Sequence, residues 1–355
     1  MPSTLTLFTA LLCLANAQKV YPVDNQGNPL PGSLRTVYID AEHLWTNRDY
    51  YRNGYPQLNT AVNRVLNRGI SSSRDKTTYT VTFKPNGNCT APSGNPHDYL
   101  SLARYFFPDE TKPPTFMPYK RWDGHINYEI FNIPYSGWMQ VITDDIFNSG
   151  LSYFWTGNIT YAETVAKRIR DWWVNPETQM TPHLQYADWV KGYEDPYYPD
   201  GTLKAGANIE HGGIIDMSRI YLVLDGLAMI SDSGAWTPSD DAGFRAWLEN
   251  YAHWLRFSPR GILELENLNN HAVWYDVQLY AILTYLGHKD EVAERIKNST
   301  LPRFFQTIAV NGTQPLETLR PLSWFYVNYN IQGLFVIAWM AQAVGVDMFA
   351  YQVTF

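Results

Sequence analysis

The chain has 355 residues, 45% of them hydrophobic, and a formal net charge of −7. That is enough apolar mass to bury a large core in one domain or two. The acidic balance excludes a protein that grips nucleic-acid phosphates over a broad basic surface, although an anionic sugar needs only a few local cations in a cleft.

In chain order, Leu5 to Ala15 is an apolar run too short to span a bilayer, and it ends in Ala15-Asn16-Ala17 before Gln18. This small-residue pattern predicts a cleaved secretory signal over residues 1–17. Four Asn-x-Ser/Thr sequons, at Asn88, Asn158, Asn298 and Asn311, agree with a secreted glycoprotein. Cys13 leaves with the signal, so Cys89 is the only mature cysteine. No intrachain disulfide forms, and no Cys-based zinc site is expected. Residues 18–35 are Pro/Gly/Asn-rich and read as an extended leader.

Helical spacing then recurs over Leu58–Leu66, Tyr161–Trp173, Ile220–Ile230, Phe244–Leu255, Val273–Leu286 and Ile331–Val344. Ser239 is a capping candidate ahead of the Phe244 helix. Helix pairs about forty residues apart predict a stacked or closed α/α array, with almost no strand after residue 160. The stretch from 70 to 135 differs. It holds a short alternating run, Tyr79–Phe83, and then a long Pro/Gly/Asn-rich chain of the kind used as a lid or binding loop. No clean linker divides the chain, so residues 36–355 are expected to form one domain.

Four constellations carry candidate chemistry. Asn269-Asn-His-Ala-Val-Trp-Tyr-Asp-Val-Gln278 opens an apolar helix with two amides and an imidazole, more polarity than a cap requires. Helical geometry would put Asn267, Asn270, His271 and Trp274 on one face. In Arg320-Pro-Leu-Ser-Trp-Phe-Tyr326-Val-Asn-Tyr-Asn330, Pro321 suits a first helical turn, and Tyr326 and Asn330 share a face. The loop region gathers His97, Tyr99, Tyr105 and Arg121, residue types suited to an anionic sugar. Aromatics at 15% of the chain add faces on which sugar rings stack. The fourth, Asn208-Ile-Glu210-His211-Gly-Gly-Ile-Ile-Asp216, lacks the two-histidine helical spacing of a zinc site, and no metal is expected.

Together these segments resemble the alginate lyase superfamily, the helical-toroid polysaccharide lyases of families five and thirty-eight, over about residues 36–345. The motifs are Gly94-Asn-Pro-His-Asp-Tyr-Leu-Ser-Leu-Ala-Arg-Tyr-Phe-Phe-Pro108 with Arg121-Trp-Asp-Gly124, then Gly213-Ile-Ile-Asp216, the Asn-Asn-His segment, and Arg320 to Asn330. The chain looks closer to the family-thirty-eight branch and its fungal relatives, because family-five enzymes carry Tyr-His where this chain reads Tyr326-Val327. The resemblance implies an all-α fold, an incomplete (α/α) toroid with a lid-like loop region in the N-terminal third. It implies β-elimination on 1,4-linked polyuronates such as alginate, polymannuronate or glucuronan. It assigns Asn270 and Arg320 to the sugar carboxylate and Tyr326 to proton donation at the leaving oxygen, with His271 or Tyr326 as base. His97, Tyr99, Tyr105, Arg121, His211, Trp274 and Asn330 become substrate contacts. No cofactor is implied, and the partner is an acidic polysaccharide rather than nucleic acid or membrane, met by a monomer. Two rival readings are a glycoside hydrolase, which needs two facing carboxylates from Glu264, Glu266, Glu210, Asp188 and Asp276, and a non-catalytic polysaccharide binder.

Overall fold

The computed structural model describes residues 34–85, 89–198 and 202–351. The expected signal, nearly all of the leader and the Asn88 sequon lie outside the described residues. No helix among the described residues is long and apolar enough to cross a membrane.

Two helices open this region, α1 (Ala41–Arg52) and α2 (Asn59–Arg74). An irregular stretch follows, carrying three short strands: β1 (Leu100–Leu102), β2 (Phe106–Phe107) and β3 (Lys120–Arg121). Then come α3 (Tyr135–Thr156) and α4 (Ile159–Ile169), a second irregular stretch containing β4 (Tyr186–Trp189), α5 (Ile220–Ala228), α6 (Pro238–Phe257) and α7 (Pro259–Leu265). The C-terminal third holds α8 (Asn270–Leu286), α9 (Lys289–Arg295), α10 (Leu301–Thr307), the single turn α11 (Pro315–Thr318) and α12 (Ser323–Ala343).

The helices form two rows. Helices α3, α5, α8 and α12 pack successively on one another as the inner row, while α4 and α6 lie outside them. This is the expected (α/α) toroid. Burial explains the division, since every residue of α5 is buried and so is nearly all of α8. A helix apolar on all sides belongs inside, and the polar groups of α8 are paired there. Asp276 accepts from Arg303 at 2.7 Å and Thr300 at 2.8 Å, and Gln278 accepts from the Tyr251 hydroxyl at 2.9 Å. Between α3 and α5 the backbones nearly touch: a β-carbon on Gly150 would stand 2.6 Å from the Gly226 carbonyl oxygen. Only glycine permits that approach.

Several local expectations need correction. Helix α3 has no clear apolar face in sequence, because its buried side includes Asn148, Ser149 and Ser152. The Asn148 amide and Ser152 hydroxyl satisfy themselves on carbonyls four residues back, each at 2.7 Å. Tyr79–Phe83 forms no strand. The cap of α6 is Thr237, not Ser239, in a reciprocal capping box with Asp240. Pro321 lies in the turn before α12, which starts at Ser323.

The strands brace the loops over one end of the toroid. β1 runs parallel to β4, and β2 pairs antiparallel with β3, Phe106 opposite Arg121. Backbone bonds from Ala103 to Trp189 (3.0 Å) and from Tyr119 to Lys191 (2.9 Å) fasten the first irregular stretch to the second.

Candidate active site

Five chain segments meet at this end. The first is the turn between α7 and α8. Asn269 caps α8 by accepting from the His271 backbone amide at 3.0 Å, which fixes the histidine in the first turn. One turn earlier, Glu264 is fully buried, and each carboxylate oxygen takes one imidazole: Oε1 the Nδ1 of His271 at 2.8 Å, Oε2 the Nδ1 of His211 at 2.6 Å. With Glu264 ionised, each Nδ1 carries the proton, and His271 Nε2 keeps its lone pair for chemistry. Burial disfavours the charged ring of His271, but the Glu264 carboxylate outweighs it and holds the pKa above the ordinary histidine value. The same pair holds Glu264 below the usual carboxylate range despite its burial.

His211 is delivered by the turn Gly212–Met217, which lies hard against β4. A β-carbon on Gly213 would come within 2.4 Å of the Ala187 carbonyl carbon. At the end of β4, Asp188 adopts φ +53°, and its backbone amide donates to Ser101 Oγ at 2.9 Å.

The remaining segments supply the phenols and guanidinium groups. Tyr105, between β1 and β2, shares a hydrogen bond with the hydroxyl of Tyr326 in α12. Arg320, just ahead of α12, stacks over the Tyr326 ring at 3.6 Å and is clamped by Asp123 through bonds of 2.9 and 2.6 Å. Burial and the Tyr105 bond push the Tyr326 hydroxyl well above an ordinary phenol, and the pull of Arg320 in the other direction does not cancel them. In this state Tyr326 is a neutral acid. Arg104 ties the groups into one field, feeling Asp216 and Asp188 on one side and Tyr105 and Tyr326 on the other. Arg320 likewise acts on His271.

The structure therefore brings together His271, His211, Tyr326, Arg320 and Tyr105, with Arg121 beside them through its 3.5 Å contact to Asp123. Other expected contacts lie elsewhere. Asn270 is fully buried, and its amide donates to both Glu317 oxygens at 2.9 Å, with its backbone N–H on the same carboxylate at 2.6 Å. Its donors are spent on joining α8 to α11, just ahead of Arg320, and not on a ligand. Asn267 precedes α8 at the edge of the site, its amide donating to the Leu263 carbonyl at 3.0 Å and lying 3.4 Å from His211 Nδ1. Trp274 is buried and stacked on Tyr329 at 4.7 Å, and Asn330 is buried with its amide on Gln314 at 2.7 Å. Tyr99 is a core residue, 1% exposed, donating to Asp216 at 2.8 Å. His97 bonds the Gln179 carbonyl at 2.6 Å and faces a separate cavity of about 320 Å³ lined by Met180 and Trp247. Helical periodicity placed these side chains on a face but not on which neighbour that face rests. Sequence reasoning named Glu264 and Asp188 only as carboxylates of a hydrolase, missing Glu264 as the holder of two histidines, and it missed Arg104. The Arg104-Tyr105 pairing was the available signal for Arg104. Among the described residues no group of three or more acidic, histidine or cysteine side chains is arranged to hold a metal ion.

Residues 82–354 match the alginate lyase family model. The chain belongs to the alginate lyase family. Among solved structures it is similar to an alginate lyase from Bacteroides ovatus, with 27% identity and a TM-score of 0.79 over 90% of this chain and 79% of that one. It shares its fold with alginate lyase A1-III from Sphingomonas species A1, at 15% identity and a TM-score of 0.53 over 90% of this chain and 73% of that one. No curated protein matches the sequence. The chain is a polysaccharide lyase, and the hydrolase and pure-binder readings give way. Of the carboxylates a hydrolase would need, Glu264 is committed to two histidines and Asp276 to Arg303.

Proposed function

We propose that this alginate-lyase-family protein is a secreted, glycosylated lyase of 1,4-linked polyuronates, alginate, polymannuronate or glucuronan, on the family-thirty-eight, fungal-type branch. The observation that carries the chemistry is the Tyr326 hydroxyl, bonded by Tyr105 and with Arg320 over its ring, while the charge of Arg320 also reaches His271, which Glu264 holds by Nδ1.

β-Elimination removes the C5 proton and expels the C4 oxygen. The obstacle is the neighbouring carboxylate, which resists the second negative charge of the enolate-like state. Cations and donors at that carboxylate lower the barrier, each worth about 3–4 kcal/mol when preorganised. We assign this role to Arg320 and Arg104, with His211 as a further candidate. Asn270 acts on the site through its grip on Glu317. Tyr326 donates its proton to the departing C4 oxygen. Where the C5 hydrogen lies on the face opposite the leaving group, His271 Nε2 takes it. Where the two share a face, Tyr326 performs both transfers, and Arg320 must then offset the effect of Tyr105 on its pKa.

The test is incubation with polymannuronate, polyguluronate and glucuronan, followed by ultraviolet absorbance of the C4=C5 bond and mass spectrometry. Elimination gives unsaturated ends with no added water, whereas products heavier by one water would refute it. Secretion and glycosylation are tested by expression in a eukaryotic host. The medium should contain a chain that begins at Gln18 and loses mass on N-glycan removal.

A further inference from the structure

Glu210, Asp188 and His271 converge around Gly212. A β-carbon there would lie 3.1 Å from His271 Cε1, 3.4 Å from Asp188 Oδ2 and 3.4 Å from Glu210 Oε1. Asp188 is brought into this group by its own backbone. Its φ of +53° is a left-handed conformation that few residues with a β-carbon adopt, and it ends β4 beside the His211 turn. The Ser101 hydroxyl accepts from the Asp188 backbone and donates to Asp216 at 2.7 Å, which fixes the corner. No hydrogen bond within the protein, among the described residues, reaches the Asp188 carboxyl itself.

A carboxyl with no hydrogen-bond partner, converging with His271 on Gly212, would repel a polyanionic ligand of that histidine unless it held a proton. We propose that Asp188 is a further substrate-touching residue, donating a hydrogen bond from its carboxylic acid to the carboxylate of the bound uronate. The inference rests on the polyuronate reading above. It supplies the donor that Asn270 does not, and it needs no proton transfer. The surroundings agree. Burial, then the Glu210 and Asp216 carboxylates, raise the Asp188 pKa to about 7 against the opposing pull of Arg104 and His271. Arg260 also feels the Asp188 carboxyl, so Glu210, Asp216, Arg104, His271 and Arg260 are the charged groups that face it.

Asn keeps a donor, cannot ionise and tolerates positive φ. Gly accepts the backbone and removes the group. Asp188→Asn should therefore keep kcat/KM within about tenfold of wild type at pH 6 and lose the fall that wild type shows as pH rises through about 7. Asp188→Gly should lose about 10²–10³ in kcat/KM with its melting temperature retained. An Asn variant as inactive as Gly, or a Gly variant as active as wild type, overturns the proposal.

A second readout separates this claim from the lyase reading. Calorimetric titration with saturated tetramannuronate, tetraguluronate and tetraglucuronate at pH 7, in buffers of different ionisation heat, should find wild type taking up about half a proton more than Asp188→Asn. Equal uptake, or no binding of any of the three, overturns the Asp188 assignment. A difference in uptake without unsaturated ends from any polymer leaves Asp188 as a uronate contact and refutes the lyase reading instead.

Discussion

Glu264 decides the state of both histidines, since its two oxygens hold His211 and His271 by Nδ1. Glu264→Gln offers an amide in place of a carboxylate, so at least one ring must turn over or lose its partner. The expected cost is up to about 10⁴ in kcat, the loss seen when the orienting acid of a catalytic histidine is replaced by its amide. The pH profile carries a signed prediction for substrates on which His271 is the base. That base must be neutral, and Glu264 raises its pKa, so the acid limb of kcat/KM should be centred above about 6.5, and the fall tied to the Asp188 proton forms the alkaline limb. In Glu264→Gln that acid limb should move to lower pH, and an unmoved limb would remove His271 from the role. At this scale the sequence was only partly legible. His271 stood out as polar excess at a helix start, Tyr326 and Arg320 were marked by the family resemblance, and the structure gathers them with Tyr105 and His211. Trp274, Asn330 and Tyr99 looked equally placed, and burial separates them, a property of the neighbouring element that one strand of sequence does not carry.

Helices α5, α8 and α12 were legible because long apolar runs leave few alternatives, and α6 because its apolar residues recur at helical spacing. Helix α3 was not, since it buries small polar residues that bond their own backbone, and it relies on Gly150 lying against Gly226. Gly150→Ala forces a β-carbon into the Gly226 carbonyl and should cost about 1–3 kcal/mol of stability. A lowered melting temperature, with activity per folded molecule retained, is the expected result, and an unchanged melting temperature would mean that α3 and α5 do not meet there. The irregular stretch between α4 and α5 was equally hidden. It carries β4 and Asp188, and its order comes from pairing with β1, about ninety residues earlier in the chain.

For the molecule as a whole, a stacked or closed α/α array was legible from helix spacing and the resemblance made it a toroid, but the closed end that makes the site was not legible. That end ties residues far apart in sequence, such as Asp123 to Arg320 and Asn270 to Glu317. The buried Glu264–histidine pair also sets how stability depends on pH. Glu264 is held below its ordinary 4.5, so its contribution is present above that value and is lost as pH falls through the folded pKa. His271 is held above 6.5, so its contribution is full below 6.5 and is lost as pH rises through the folded pKa. Asp188, raised from 3.8 to about 7, contributes fully below 3.8 and loses that contribution as pH rises from there through about 7. Melting temperature should therefore peak in the mildly acidic range, and Glu264→Gln should flatten that peak.

The central claim is that a neutral Tyr326 delivers the proton to the leaving oxygen of a uronate chain. The most direct measurement is the rate of unsaturated-end formation by Tyr326→Phe beside wild type, on whichever polyuronate wild type cleaves fastest, with both proteins matched in melting temperature. The account predicts a loss of at least about 10²-fold in kcat. Wild-type turnover by the phenylalanine variant would contradict it.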